Sequence, residues 1–261
     1  MKVREVLVHK PGAELKIVSK PKKWLFSGFF DNMEMQREHD ELIKMLQEEG
    51  VKVHYLRRPT STKPKLYVIR DSAIVLNKKA VTCHFIHSMR RGEEQLVKQR
   101  LRELGIKIAG HIFVPGFLQG SDIFFADKNQ AFARMGYETN ERGIEHLSDI
   151  LKIEITPIDI GGLSNIQLNF INGTVIVGEE LLEKPIYDFI KERELDIVTA
   201  TREQVEMMSV NFLQIDDYKI INVRSDLNKK LRMIGYDVIE VDIKELVKGH
   251  CGIRNMCLPF Y

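Results

Sequence analysis

Cysteine is scarce in this chain, which has only Cys83, Cys251 and Cys257 in 261 residues. So sparse and odd a set does not build a disulfide framework, and it fits a reducing compartment. An excess of charge is also missing: 39 basic against 37 acidic residues leave a net charge of +2. That balance gives no general pull toward nucleic acid or anionic lipid, so the expected partner is a small molecule or a protein. Long apolar runs are absent as well. Nowhere do about eighteen apolar residues follow one another, and the opening MKVREVLVHK has neither an apolar core nor a small-residue cleavage site. The pattern predicts a cytoplasmic protein with no membrane contact.

What the chain does have is repetition. From Leu66, LYVIRDSAIVLN and AVTCHFI read as two strands, RRGEEQLVKQRLRELG as an amphipathic helix and IKIAGHI as a third strand. The order returns as GSDIFFAD, QAFARM, a helix from about Asn140 to Leu151 capped by Thr139 or Asn140, and IEITPIDI. It returns again as IQLNFIN, TVIVG, EELLEKPIYDFIKERE and DIVTAT, with a break or late start of the helix expected at Pro185. A fourth copy runs through VNFLQIDD, YKIINV, SDLNKKLRMIG and YDVIEVDI. The C-terminal stretch IRNMCLPFY, read as a strand, lacks a continuation, and the N-terminal segment supplies it with EVLVHK, MQREHDELIKMLQEEG and VKVHYL.

The units are residues 66–112, 113–160, 161–205 and 206–245, with 246–261 joined to 1–60 as the fifth. Units of about 50 residues that cannot cover their own sheet face bury a common core by standing side by side. Five closed through the termini make one domain over residues 1–261, a five-bladed α/β propeller of ββαβ repeats with pseudo-fivefold symmetry. Its ligand site is expected at the centre, shared among blades. A plain parallel α/β domain is the alternative, but it does not place a pair of strands before each helix.

On this frame, several segments resemble the guanidino-group-modifying superfamily, the pentein-fold arginine deiminases, dimethylargininases and amidinotransferases. LFSGFFDNMEMQREHDELIKMLQEEGVKVHYL, with Glu38, His39 and Asp40, resembles the N-terminal segment of the deiminases. VIRDSAIVLN resembles their Arg-Asp segment, and RRGEE the Arg-rich segment after it. FLQGSDIFFADKNQAFARMGYETNERGIEHL is similar to the stretch with a Glu-Gly-Gly-Asp turn followed by Glu-Arg-Thr-Asn. GHCGIRNMCLPF resembles the strand that carries the family's nucleophilic cysteine.

The resemblance implies a cysteine thiolate that attacks the guanidinium carbon, a histidine that shuttles the proton, and carboxylates that hold the cation. Set against those motifs, Gln167 stands in the histidine's place, Asn169 in that of the following aspartate, and Asn255 in that of the cysteine. Gln119 and Ser121 depart from the Glu-Gly-Gly-Asp turn, and Glu138 replaces the arginine of Glu-Arg-Thr-Asn. Asp71 and Asp122 remain. The resemblance therefore implies a catalytically silent or altered relative that needs no cofactor. Its central pocket, formed by Asp71, Gln119, Asp122, Gln167, Asn169 and Asn255, would take an arginine- or citrulline-like molecule. Since two amides replace carboxylates, a neutral ureido or amide compound fits better than a guanidinium.

Two alternatives stay open. One is an active hydrolase or transferase that uses Cys257 or Cys251 with His250; Cys257, two residues beyond Asn255 on a strand, would share its face but lie about 7 Å further along. The other is a non-catalytic protein-binding scaffold, and a homodimer is also kept open. His250, Cys251 and Cys257 match no zinc spacing, so no metal is expected. Cys83 and His84 read as core or rim, and His39 as a solvated helix residue. Arg90 and Arg91 read as an exposed basic helix start, with the binding of a ligand carboxylate or phosphate in the pocket as the alternative, and PKKW and RRPTSTKPK as solvated loops, the second a linker between the N-terminal unit and the ring.

Overall fold

The computed structural model describes residues 2–57, 62–159, 167–182 and 184–261, excluding the side chains at 184 and 185. The N-terminal unit runs β1 (Glu5–Val8), α1 (Asn32–Glu48) and β2 (Lys52–Tyr55). The next has β3 (Ala73–Leu76), β4 (Lys79–Thr82), α2 (Glu93–Glu103) and β5 (Lys107–His111). It is followed by β6 (Ile123–Phe125), β7 (Gln130–Met135), α3 (Glu141–Leu151) and β8 (Glu154–Asp159). Then come β9 (Leu168–Ile171), β10 (Thr174–Gly178), α4 (Lys184–Glu192), β11 (Asp196–Ala200) and a short α5 (Arg202–Glu206). The chain finishes with β12 (Leu213–Asp216), β13 (Lys219–Val223), α6 (Leu227–Met233), β14 (Asp237–Val241), α7 (Ile253–Met256) and β15 (Leu258–Pro259).

These strands form five three-stranded sheets with one plan. In each, the first strand lies antiparallel to the middle one, and the middle one runs parallel to the strand that follows the helix. The fifth sheet obeys the same rule only by joining the chain ends, β15 antiparallel to β1 and β1 parallel to β2. This is the five-unit α/β architecture that the repeats predict. Among the described residues no ladder crosses from one sheet to the next; side-chain packing joins the sheets, together with single backbone bonds such as those of Val3 N–H to the Ile215 carbonyl and Asn77 N–H to that of Tyr261.

Local chemistry explains the plan. The β3–β4 turn places Asn77 and Lys78 at φ 51° and 58°, and the β9–β10 turn places Asn172 and Gly173 at 44° and 81°. Two positive φ values in succession make the hairpin turn whose twist suits the strands. Asp31 caps α1 through the amides of Met33 and Glu34, and Asn140 caps α3 through that of Gly143. Middle strands are mostly apolar and largely buried, β10 at every position, and the apolar sides of the helices close the core over them.

Several elements differ from expectation. The segment read as a C-terminal strand makes a helical turn, α7, before the two-residue β15. Two of the long first strands begin instead with tight turns, at Ile69–Ser72 and Gly120–Asp122. The third helix does start late, with Glu179–Leu181 as a separate turn before α4. α5 was not anticipated, although its capping box, Thr201 with Gln204, is written in the sequence.

Three charged or titratable residues expected in solvent are buried. His39 is completely covered on the inner side of α1, because Met35, His39, Leu42 and Leu46 recur at helical spacing. Lys65 and Arg90 are likewise interior. Part of the segment RRPTSTKPK, residues 58–61, lies outside the described residues.

Candidate functional site

The short segments that lead into the first strands of several sheets meet one another. The turn Ile69–Ser72 packs on the turn Gly120–Asp122 and on α7, which also packs on β12 and β13. Glycine at 120 permits this approach, since a Cβ there would overlap the carbonyl oxygens of Arg70 and Ala73. Gly252 is pressed in the same way, with its Cβ position 2.6 Å from Cβ of Asn211.

Asp71 and Asn255 are brought together here, both essentially buried, with Asn255 Nδ2 donating to Asp71 Oδ1 at 3.4 Å. Arg90 holds the other oxygen of Asp71 at 2.6 Å and binds Glu93 Oε2 through Nε at 3.0 Å and Nη2 at 2.8 Å. Burial works against its charge, but Glu93 and Asp71 outweigh that and hold Arg90 firmly protonated. Burial pushes the Glu93 carboxyl above its usual range despite Arg90. Asn255 Oδ1 is buried and has no partner among the described residues.

Beside this group, Asp122 accepts bonds from Arg134 and from the hydroxyl of Thr139. Thr139 in turn accepts the backbone N–H of Gln119 at 3.0 Å. Burial raises the pKa of Asp122 despite its arginine. Glu138 pairs with His87 at 3.0 Å. Burial would raise the pKa of Glu138, but His87 and the charges of Arg90 and Arg134 hold it below the ordinary range.

The remaining candidates are placed elsewhere. Asn169 is engaged on all sides: its amide donates to the carbonyls of Val210 at 2.9 Å and Phe212 at 3.2 Å, and its oxygen accepts the N–H of Phe170 at 2.9 Å. It ties β9 to the segment that enters β12. Gln167 lines a cavity of about 210 Å³ with Gly178, Arg202, Val205 and Glu206, and its Oε1 is buried without a partner among the described residues.

Cys257 follows α7 instead of sharing a strand with Asn255, so the two do not present a common face. It is completely buried, and burial pushes its thiol up to about 12. Cys251 is also completely buried, donates to the Leu246 carbonyl at 3.5 Å and is pushed up to about 11 by burial. Its neighbour His250 is exposed. No group of three metal-ligating side chains occurs among the described residues.

Sequence reasoning missed two residues of this site. Arg90 pairs with Asp71; its signal was Glu93, three residues on at the start of α2. Asn211 accepts the backbone N–H of Asn255 at 3.3 Å through its side chain and that of Arg254 at 3.1 Å through its carbonyl, so it positions α7. No motif marks it.

The family model for eukaryotic N,N-dimethylarginine dimethylhydrolase matches residues 30–261. The chain belongs to the dimethylarginine dimethylhydrolase family. An uncharacterized protein of Aeropyrum pernix is 25% identical over 242 residues, 89% of this chain and 86% of that one. An uncharacterized protein of Bacillus subtilis is 22% identical, over 85% of this chain and 78% of its own length. In fold, the chain is similar to the dimethylarginine dimethylaminohydrolase of Pseudomonas aeruginosa, solved as a cysteine-to-serine variant with citrulline. There the TM-score is 0.83 at 19% identity over 100% of both chains. It is also similar to the N-terminal domain of a cyanobacterial arginine dihydrolase bound to its product, with a TM-score of 0.86 at 16% identity over 100% of this chain and 98% of that one.

The dimethylarginine dimethylhydrolase match spans every residue gathered around Asp71, from the turn at Ile69 to α7. Within this family member, all three cysteines are free and buried.

Proposed function

We propose that this dimethylarginine dimethylhydrolase family member binds a citrulline- or arginine-like small molecule at the Asp71–Asn255 site without hydrolysing it. The observation that carries this reading is the amide of Asn255, hydrogen-bonded to Asp71 where the family resemblance calls for a thiolate. An amide is neither a nucleophile nor a general acid near neutral pH. No thiol replaces it, because Cys251 and Cys257 are interior and their raised pKa values keep them protonated.

The charge balance favours a ureido group over a guanidinium. Arg90 already holds Asp71 Oδ2 at 2.6 Å, so a guanidinium would have to share that carboxylate with a resident cation. A neutral ureido N–H, in contrast, can donate to Asn255 Oδ1, which has no partner among the described residues. The citrulline complex of the Pseudomonas relative, which shares the fold, supports the same ligand class. No helix among the described residues is long and apolar enough to cross a membrane, and three free thiols fit a reducing cytoplasm.

A thermal-shift series with citrulline, arginine, ornithine, agmatine and methylated arginines tests the reading. Citrulline at about 100-fold over its Kd is expected to raise Tm by about 5–10 °C and to do so more strongly than arginine. A series in which no compound shifts Tm, or in which arginine binds and is converted to citrulline, overturns it.

A further inference from the structure

Lys65 lies on the segment that leads into the turn Ile69–Ser72 and is 4% exposed, with no carboxylate bonded to it among the described residues. Its Nζ donates to the carbonyl oxygens of Leu25, at 3.3 Å, and of Gly249, and stands 4.9 Å from the ring centroid of Phe26 and 5.8 Å from that of Tyr67. Two carbonyl dipoles and two aromatic rings hold an ammonium in place without cancelling its charge. Glycine at 249 lets the chain close over it, since a Cβ there would overlap the Tyr67 hydroxyl and lie 3.1 Å from Lys65 Nζ.

The ionised groups that Lys65 feels belong to the Asp71 site: Asp71 and Glu93 favour its ammonium, and Arg90 opposes it. Glu93 in turn feels Lys65. Arg90 alone serves two carboxylates, bonding Asp71 at 2.6 Å and Glu93 at 2.8 Å, so that trio has one negative charge in excess. Lys65 supplies the missing cation: with Arg90 it sets two buried positive charges against two negative ones. A buried site already balanced in this way takes an uncharged head group readily, whereas a guanidinium brings a charge that nothing there offsets.

We propose that Lys65 sets the preference of this site for a ureido over a guanidinium group, through its charge and without touching the ligand. The inference rests on the reading that the ligand's head group sits at Asp71–Asn255.

Calorimetric titration with citrulline and arginine tests it, because both carry the same α-amino and α-carboxylate groups and the ratio of their Kd values reads the side-chain head alone. At pH 7 the wild type is expected to favour citrulline, and Lys65→Met to move the ratio toward arginine by about tenfold or more. Lys65→Met with Glu93→Gln, which restores the charge balance, should regain the citrulline preference, a rescue that a merely structural role would not show. The wild type alone gives a second reading should Lys65→Met not fold. Burial lowers the pKa of Lys65 to about 8, while it pushes Tyr67 and Cys251 up and holds His250, which also feels Lys65, neutral above pH 7. Between about pH 7 and 9.5 the wild-type ratio should therefore drift toward arginine, whose guanidinium keeps its charge. A ratio unchanged in Lys65→Met, or level across that pH range in the wild type, overturns this inference and leaves the binding reading intact. A wild type that binds neither compound overturns both.

Discussion

Arg90→Met is expected to destabilise the protein by about 3–5 kcal/mol at neutral pH, the cost of removing one partner from a buried ion pair. Arg90, Asp71 and Glu93 are 3%, 2% and 1% exposed, so the variant leaves two buried carboxylates without their cation. The loss has a pH signature. Burial already raises Glu93, and without Arg90 its folded pKa rises further above the unfolded value. A group raised in this way keeps its stability at low pH and loses it as pH rises through the folded pKa, so the deficit should shrink toward pH 4. Urea unfolding at pH 4.5 and 7.5 reads both effects. Adding Asp71→Asn and Glu93→Gln to the variant should recover much of the loss, and a pH-independent deficit would contradict this account of the cluster.

His39 carries the second large effect. It is completely buried, both ring nitrogens lack partners among the described residues, and burial lowers its pKa from 6.5 to about 3. Above pH 6.5 the imidazole is neutral in both states and costs nothing in protonation. Below it the unfolded chain takes the proton first, so stability is lost between about pH 6.5 and 3, at about 1.4 kcal/mol per unit. His39→Leu should flatten this limb. Between pH 7 and 5 the wild type should lose about 2 kcal/mol more than the variant. The variant should also gain about 1–3 kcal/mol at pH 7 from removal of unpaired polar atoms. Parallel pH curves for the two proteins would show that His39 does not titrate as described.

His39 also shows what the sequence discloses and what it conceals. Its burial was legible in the spacing from Met35 to Leu46, but the charged neighbours Glu38 and Asp40 hid it. Glu38 is itself interior, accepting the backbone N–H groups of Lys244, Glu245 and Leu246. That contact joins residues 206 to 208 positions apart, which no local pattern reports. The sheets were readable because each repeat carries its own alternation and turn residues, such as Asn172 and Gly173.

The site was readable only in part. Asp71 and Asn255 do meet, yet Asn169 is consumed by the carbonyls of Val210 and Phe212, a demand set by how two sheets pack. The α7 turn escaped notice for a similar reason. IRNMCLPFY ends in a continuous apolar run that reads as a buried strand, and what bends its start is tertiary: the Arg254 guanidinium bound to carbonyls of another unit, and the Arg254 and Asn255 amides bound to Asn211. Arg90 looked like a surface base because its two carboxylate partners, one at the start of the helix that follows it and one across the site, cannot both be assembled from the RRGEE segment alone.

The loss of thiolate chemistry is tested most directly by treating the native protein with chloroacetamidine and counting adducts by mass. With Cys83, Cys251 and Cys257 all buried, no adduct is expected on the folded chain and three after unfolding. A single adduct on native Cys251 or Cys257, formed quickly and suppressed by arginine, would mean that a working nucleophile survives and that the chain is not silent.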